Sequence, residues 1–238
     1  MRIALVGYGK MGKAIEEIGL ERGHEIVLKI NDENLQDFTK ENISNAQVAI
    51  EFTGPHSAYE NVKQMIDWGT PVVCGSTGWT DQLSTINDLC TAKKGSFIYA
   101  SNFSIGVNIF FELNKKLAWL MKDHPDYRIS MEEIHHTQKK DAPSGTAITL
   151  AEQIIESQTA IRKWVGGETG NAGELPIVSK RIDPAPGTHM IRYSSPIDDI
   201  EIIHTAHNRK GFAGGAIRAA EYIFDKRGIF SMKDVLGF

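Results

Sequence analysis

Apolar positions along this chain follow two different rhythms. Near the N terminus, short continuous runs alternate with stretches in which apolar residues recur every three or four positions. Ile3 to Val6 is continuous, Met11, Ala14, Ile15, Ile18 and Gly19 fall at helical spacing, and Glu25 to Ile30 is extended again. Val48 to Phe52, Pro71 to Cys74 and Phe97 to Tyr99 predict further buried strands, with helices at Ser57 to Trp68 and Thr80 to Lys93 between them. Strand and helix in turn predict a parallel sheet covered by helices.

From Gly106 the texture changes. A helix carries Val107, Phe110, Phe111, Leu113, Leu117 and Leu120 along one side, and Arg128 to His135 then interleaves polar with apolar residues, as a strand does when one sheet face lacks a crossover helix. A helix at Thr146 to Ile155 precedes strands at Ile177 to Ile182, His189 to Ser194 and Ile200 to Thr205, separated by turns bearing Pro, Gly and Asp. Ala213 to Phe224 is again an amphipathic helix, expected to return to the first domain. The domain expectation is therefore residues 1–104, completed by 211–238, and a second domain over 105–210.

Composition serves mainly to exclude. The chain has 238 residues, 41% hydrophobic and 24% charged, with formal net charge -4 and pI near 6.1, which suits a globular protein and gives no electrostatic footprint for nucleic acid or an anionic membrane. Two cysteines, Cys74 and Cys90, do not make a disulfide framework, so reduced thiols in the cytoplasm are expected. No stretch approaches the roughly 18 apolar residues of a membrane span, and the opening apolar run is too short for a secretory signal. Neither export nor anchoring is expected.

Chemistry enters at Gly7-Tyr8-Gly9-Lys10-Met11-Gly12, which follows a strand and opens a helix as the dinucleotide-binding fingerprint does. The first glycine permits the tight turn, the second lets pyrophosphate approach the backbone, and the third lets helix and strand pack closely, with the helix N terminus facing the phosphates. An ordinary turn between strand and helix also favours glycine, but here the whole βαβ unit is present. The acid that usually holds the ribose, about 20 residues on, is replaced by Asn31, with Asp32 next to it. NADH and NADPH both stay open, since Asn bonds ribose hydroxyls without repelling a 2'-phosphate. Neither Lys10 nor Lys29 is given a phosphate-binding side chain, because a solvated surface lysine is the commoner case.

The second chemical stretch runs from Glu133-Ile134-His135-His136 through Lys139 and Asp141-Ala142-Pro143 to Ser144-Gly145-Thr146. Imidazoles titrate near neutrality, an ammonium offsets anionic charge or donates a proton, and a helix opened by Ser144, Gly145 and Thr146 offers unpaired N–H groups to a carboxylate or phosphate. A capped helix behind surface histidines would explain the His-His pair alone. The combination beside a dinucleotide domain describes a site for reducing a carboxylated substrate. No metal is expected, as neither His135-His136 nor His204 with His207 has the spacing and partners of a zinc site.

On these residues the chain resembles the dihydrodipicolinate reductase family. The likeness extends to Glu51-Phe52-Thr53 with Pro55, Gly75-Ser76-Thr77-Gly78, Ser101 to Asn108 and Gly215 to Ala220. It implies an N-terminal Rossmann-type parallel sheet domain plus a C-terminal α+β open-sheet domain, hence an α/β protein. It also implies a homotetramer, a small dicarboxylate substrate, and NADH- or NADPH-dependent reduction of 4-hydroxy-tetrahydrodipicolinate with loss of water, in diaminopimelate and lysine biosynthesis. By matching motif, His135 is the acid-base residue, Lys139 the proton donor, and His136, Ser144, Gly145 and Thr146 bind substrate. Gly75, Ser76, Thr77, Ala100, Ser101, Asn102 and Phe103 match segments near the nicotinamide, where the resemblance puts hydride transfer at the domain junction. Two departures stand out: Asn31 for the usual acid, and a segment from Arg181 to His189 that lacks the family's glycine pair after arginine. An aspartate or homoserine dehydrogenase would share the glycine turn but lack the His-His to Ser-Gly-Thr segment. A non-catalytic dinucleotide sensor would leave the proton-transfer groups without purpose.

Overall fold

The computed structural model describes residues 1–208 and 210–238. Among these, the elements run β1 (Arg2–Val6), α1 (Lys10–Glu21), β2 (Glu25–Ile30), α2 (Lys40–Ile43), β3 (Val48–Glu51), α3 (Ala58–Asp67), β4 (Val72–Cys74), α4 (Leu83–Ala92), β5 (Ser96–Tyr99) and α5 (Ile105–Met121). Then come β6 (Arg128–His135), α6 (Gly145–Ser157), β7 (Lys163–Gly166), β8 (Glu174–Arg181), β9 (Gly187–Ser194), β10 (Asp199–Ala206), α7 (Lys210–Ile223), β11 (Gly228–Phe230) and α8 (Met232–Leu236). They divide into two compact units, Met1–Ile105 with the C-terminal segment to Phe238, and Gly106–Asn208. No described helix is long and apolar enough to cross a membrane.

In the first unit six strands pair in the order β11-β5-β4-β3-β1-β2, all parallel. The side-chain period of two sorts each strand between two cores. Ile3, Leu5, Val48, Ile50, Val73 and Ile98 face Ile15 of α1, the alanine-rich side of α7, and Met232 and Val235 of α8. Ala4, Val6, Ala49, Val72, Cys74 and Phe97 face α3 and α4. Both faces are covered, which is why these strands read as unbroken apolar runs. The direction of winding reverses between β1 and β3, and in such sheets ligands bind outside the carboxyl ends of the strands at that point.

The second unit is a mixed sheet, β10-β9-β6-β8-β7, in which β8 runs parallel to β6 and β7, and β9 antiparallel to β6 and β10. One face buries Met131, Leu175, Ile177, Ile191 and Tyr193 against Ala147, Leu150, Ala151 and Ile154 of α6 and Phe110 and Ala118 of α5. Four elements escaped the sequence reading, the first of them the four-residue α2. Strands β7 and β11 are only four and three residues long, lie at sheet edges and carry too few apolar residues for a period to register. Helix α8 spans five residues and is announced mainly by Ser231, whose N–H donates to the Asp234 carboxylate at 2.7 Å.

Candidate active site

The inner face of the second sheet changes character along its length. Met131, Glu133 and His135 alternate onto the same side of β6 and all three are buried. The polar members are therefore inside, where a half-solvated strand would put them outside. Register explains how they are kept: Glu133 lies opposite His189 of β9 and Ser179 of β8, and His135 lies opposite Arg181. Apolar packing occupies the rest of the face, and at its end four strand-borne polar groups converge.

Glu133 is the hub. Fully buried, it accepts the Ser144 N–H at 3.1 Å on both oxygens and an Arg181 Nη2–H at 3.1 Å. His135 Nδ1 is 3.3 Å from its other oxygen, and His189 Nε2 3.8 Å. Burial alone would raise the carboxyl pKa; polar contacts with His135, Ser144, Ser179 and Arg181 outweigh that and hold it well below the usual range. His189, buried beside His135, goes down to about 3, first through burial and then through the neighbouring ring.

Both shifts point the same way. A histidine whose pKa falls from 6.5 to about 3 on folding takes up protons in the unfolded chain first, so stability declines as pH drops below 6.5. The depressed Glu133 adds to the loss once pH falls through the unfolded carboxylate range. Each unit of pH below 6.5 is expected to cost up to about 1.4 kcal/mol through His189, read as a Tm lower by up to about 3–6 °C. Melting curves of wild type and His189→Gln from pH 7 to 5 check this: the wild-type Tm falls, and the variant's falls less.

Ser144 caps α6, its hydroxyl accepting the Ala147 N–H at 3.2 Å and lying 3.1 Å from His189 Nε2. Gly145 and Thr146 form the first turn, where a side chain at Gly145 would meet open space. The Lys139 ammonium is gripped by Asp141 at 2.8 and 2.7 Å. Partial burial raises the Asp141 carboxyl, but the hydrogen bonds and charge of Lys139 outweigh it, so its pKa ends below the ordinary value. His136 is half-buried, and its carbonyl accepts the Lys139 N–H at 3.1 Å.

Glu133, Arg181, His189 and Asp183 were missed as site residues. Arg181 donates to the carbonyls of Lys139 at 3.3 Å and Asp141 at 2.6 Å. Asp183, within the segment lacking the glycine pair, accepts the Thr137 N–H at 3.1 Å and hydroxyl at 2.5 Å. These contacts join chain positions some 40 residues apart and leave no local sequence mark. Glu133 did leave one, since it shares the strand face of His135 two residues away. Glu133, His135 and His189 offer donor atoms within 4.8 Å of one another, but Arg181 already brings a cation to the same carboxylate. His204 and His207 are not in that group.

In the first unit the glycine turn borders a cavity of about 490 Å³ at the carboxyl ends of β1 and β3. Val6 to Gly9, Asn31, Asp32 and the stretch from Phe52 to Ser57 line it, whereas Lys10, Met11 and Gly12 start α1 beside it. Gly7 has φ +99°, and a Cβ there would lie 2.3 Å from the Phe52 carbonyl oxygen; at Gly12 it would lie 2.6 Å from the Gly7 oxygen. At Gly9 it would meet nothing within 4 Å, and α1 begins with no side chain capping its N–H groups. Asn31 is tied into a local turn, its side-chain oxygen accepting the Glu33 N–H at 2.9 Å. Tyr8 donates to Glu16, which also accepts from Lys29 at 3.1 Å.

Gly75, Ser76 and Thr77 follow β4, and Ala100 to Phe103 follow β5, along the same carboxyl edge but outside that cavity. Ser76 Oγ is buried with no hydrogen-bond partner among the described residues. Phe103 packs on Phe52, ring centroids 5.9 Å apart, and Asn102 accepts the Ser104 N–H at 2.8 Å.

Family models described as the N terminus and the C terminus of dihydrodipicolinate reductase match residues 1–103 and 106–236. The chain belongs to the dihydrodipicolinate reductase family. A 4-hydroxy-tetrahydrodipicolinate reductase of Christiangramia forsetii is 50% identical over 240 residues, covering 99% of this chain and 98% of the relative. One from Methanosarcina barkeri is 38% identical, covering 88% and 80%. Among solved structures, a dipicolinate-bound dihydrodipicolinate reductase from Paenisporosarcina sp. shares the fold with a TM-score of 0.77 at 23% identity, covering 97% of each chain. A diaminopimelate dehydrogenase of C. glutamicum has a TM-score of 0.56 at 13% identity, a likeness of fold alone. Family membership bears out the expected resemblance, and the parallel and mixed sheets bear out the expected fold class.

Proposed function

We propose that this reductase uses NADH to convert 4-hydroxy-tetrahydrodipicolinate to tetrahydrodipicolinate with loss of water, a step of diaminopimelate and lysine biosynthesis. The observation that carries the reading is the joint match of both family models with 50% identity to a reductase of that name along the whole chain. The reduced nicotinamide supplies the hydride. The residues for it are the turn Gly7 to Gly12 with the open N terminus of α1, Asn31 and Asp32 at the ribose end, and the segments 75–77 and 100–103. The unpartnered Ser76 hydroxyl and the empty space over Gly9 fit a polar ligand along this edge.

The second unit supplies the substrate grip and the proton. Gly145 and Thr146 present helix N–H groups to a carboxylate, with Ser144 capping that turn and His136 beside it, while Lys139 gives up a proton and His135 acts in acid-base transfer. Holding these groups in place before substrate arrives lowers the cost of reaching the reactive geometry. A homotetramer in the cytoplasm is proposed too; the exposed Ile200 and Ile203 of β10 and the free, buried Cys74 and Cys90 fit it.

Preference for NADH follows from charge. Among the described residues no lysine or arginine lines the cavity while Asp32 does, so a 2'-phosphate would face that carboxylate with no described side-chain cation on the lining. Condensing pyruvate with aspartate semialdehyde enzymatically, adding this protein, and following reduced-nicotinamide absorbance tests the substrate. Activity that ignores the condensing enzyme would refute it. Fluorescence titration is expected to give a Kd for NADH about tenfold or more below that for NADPH, with the gap narrowed in Asp32→Ala. Equal constants would overturn the preference.

A further inference from the structure

The two ring nitrogens of His135 have different surroundings. On one side, buried Nδ1 is shut off from solvent, makes no aligned hydrogen bond among the described residues, and lies 3.3 Å from a Glu133 carboxylate oxygen. On the other side, the space beside Nε2 exists because residue 187 is glycine: a Cβ there would stand 3.1 Å from that nitrogen. The same Glu133 carboxylate fixes the start of α6 through the Ser144 N–H, and it is anchored from behind by Arg181. One anion thus spans the acid-base ring and the proposed carboxylate-binding helix start.

We propose that Glu133 is the positioning residue of this site: it orients the His135 ring with Nδ1–H toward its carboxylate and Nε2 toward the open side, in fixed register with Ser144 at the start of α6. This rests on the reading of His135 as the acid-base group, but its first test does not. A carboxylate accepts and does not donate, so the ring nitrogen facing it must carry the proton. Among the described residues the other charged and titratable groups of this cluster are His189 on β9, its ring centroid 5.1 Å from that of His135, Arg181 on β8, bound to Glu133, and Lys139 with Asp141 on the loop after β6. The Arg181 guanidinium and Lys139 ammonium are donors only, the Lys139 charge is spent on Asp141, and His189 is kept neutral by burial. None competes with Glu133 for that proton.

The experiment begins with the wild-type protein, labelled with ¹⁵N-histidine and observed about two pH units above the ordinary imidazole value. Long-range ¹H–¹⁵N spectra are expected to show His135 as the Nδ1–H tautomer. An Nε2–H tautomer overturns the proposal without recourse to any variant, whether or not the enzyme reduces the expected substrate. Glu133→Gln is isosteric but can either donate or accept, so it is expected to leave a mixture of tautomers and to lower kcat about tenfold or more, with NADH Kd unchanged. A folded Glu133→Gln variant that keeps the Nδ1–H tautomer and near-normal kcat also overturns it. If that variant does not fold, the wild-type spectrum alone decides. Loss of activity on the condensation product in wild type, with the tautomer as expected, would count against the proposed reaction and not against this role of Glu133.

Discussion

Replacing Lys139 by alanine is expected to cut kcat about a hundredfold or more while NADH affinity stays within about twofold. The ammonium is set for this by its neighbours: Asp141 holds it at 2.7 and 2.8 Å, and the backbone on either side is pinned by Arg181, which binds the Lys139 and Asp141 carbonyls. Two roles compete, proton donor and mere counter-charge to a carboxylate, and Lys139→Arg separates them. Arginine keeps the positive charge but holds its proton too tightly to release it near neutral pH. Under the donor role Lys139→Arg stays as slow as the alanine variant while its substrate KM recovers. A return of turnover in that variant would leave Lys139 as counter-charge alone. His135→Ala is expected to fall by a similar factor, with thermal melts and NADH titration confirming that each variant is folded and loaded.

Much of this architecture is visible in one dimension because its forces are local or periodic. The first sheet is buried on both sides, so each strand is an apolar run, and α1 and α3 show their inward faces at helical spacing. The glycine turn is legible for a steric reason that the atoms display, since Gly7 and Gly12 have no room for a side chain. What could not be read is what the second sheet brings together. His189 and Arg181 look like ordinary strand residues until β8 and β9 are laid on either side of β6, which puts both against Glu133. In sequence the segment from Arg181 to His189 is only a departure from the family pattern. Folded, its Asp183 clasps Thr137 in the turn that carries His136 and Lys139, and its last strand opens with the glycine that leaves room for His135.

Gly9→Ala is expected to weaken NADH binding about tenfold or more while leaving the protein folded, and the contrast with Gly7→Ala makes the result interpretable. At position 9 an added methyl meets nothing within 4 Å, and φ is negative, at -90°. Loss of a glycine N-cap costs at most about 1 kcal/mol, a Tm change of about 2–4 °C. That methyl would, however, occupy the space through which pyrophosphate reaches the N–H groups opening α1. At position 7 the methyl would sit 2.3 Å from the Phe52 carbonyl oxygen at φ +99°, so the backbone joining β1 to β3 must move, and the larger fall in Tm belongs there. If the glycines served only an ordinary strand-to-helix turn, position 9 would be indifferent to both measurements. An NADH Kd unchanged in Gly9→Ala would therefore remove the cradle assignment, whereas loss of binding with a near-normal Tm can come only from a ligand seated against that open face.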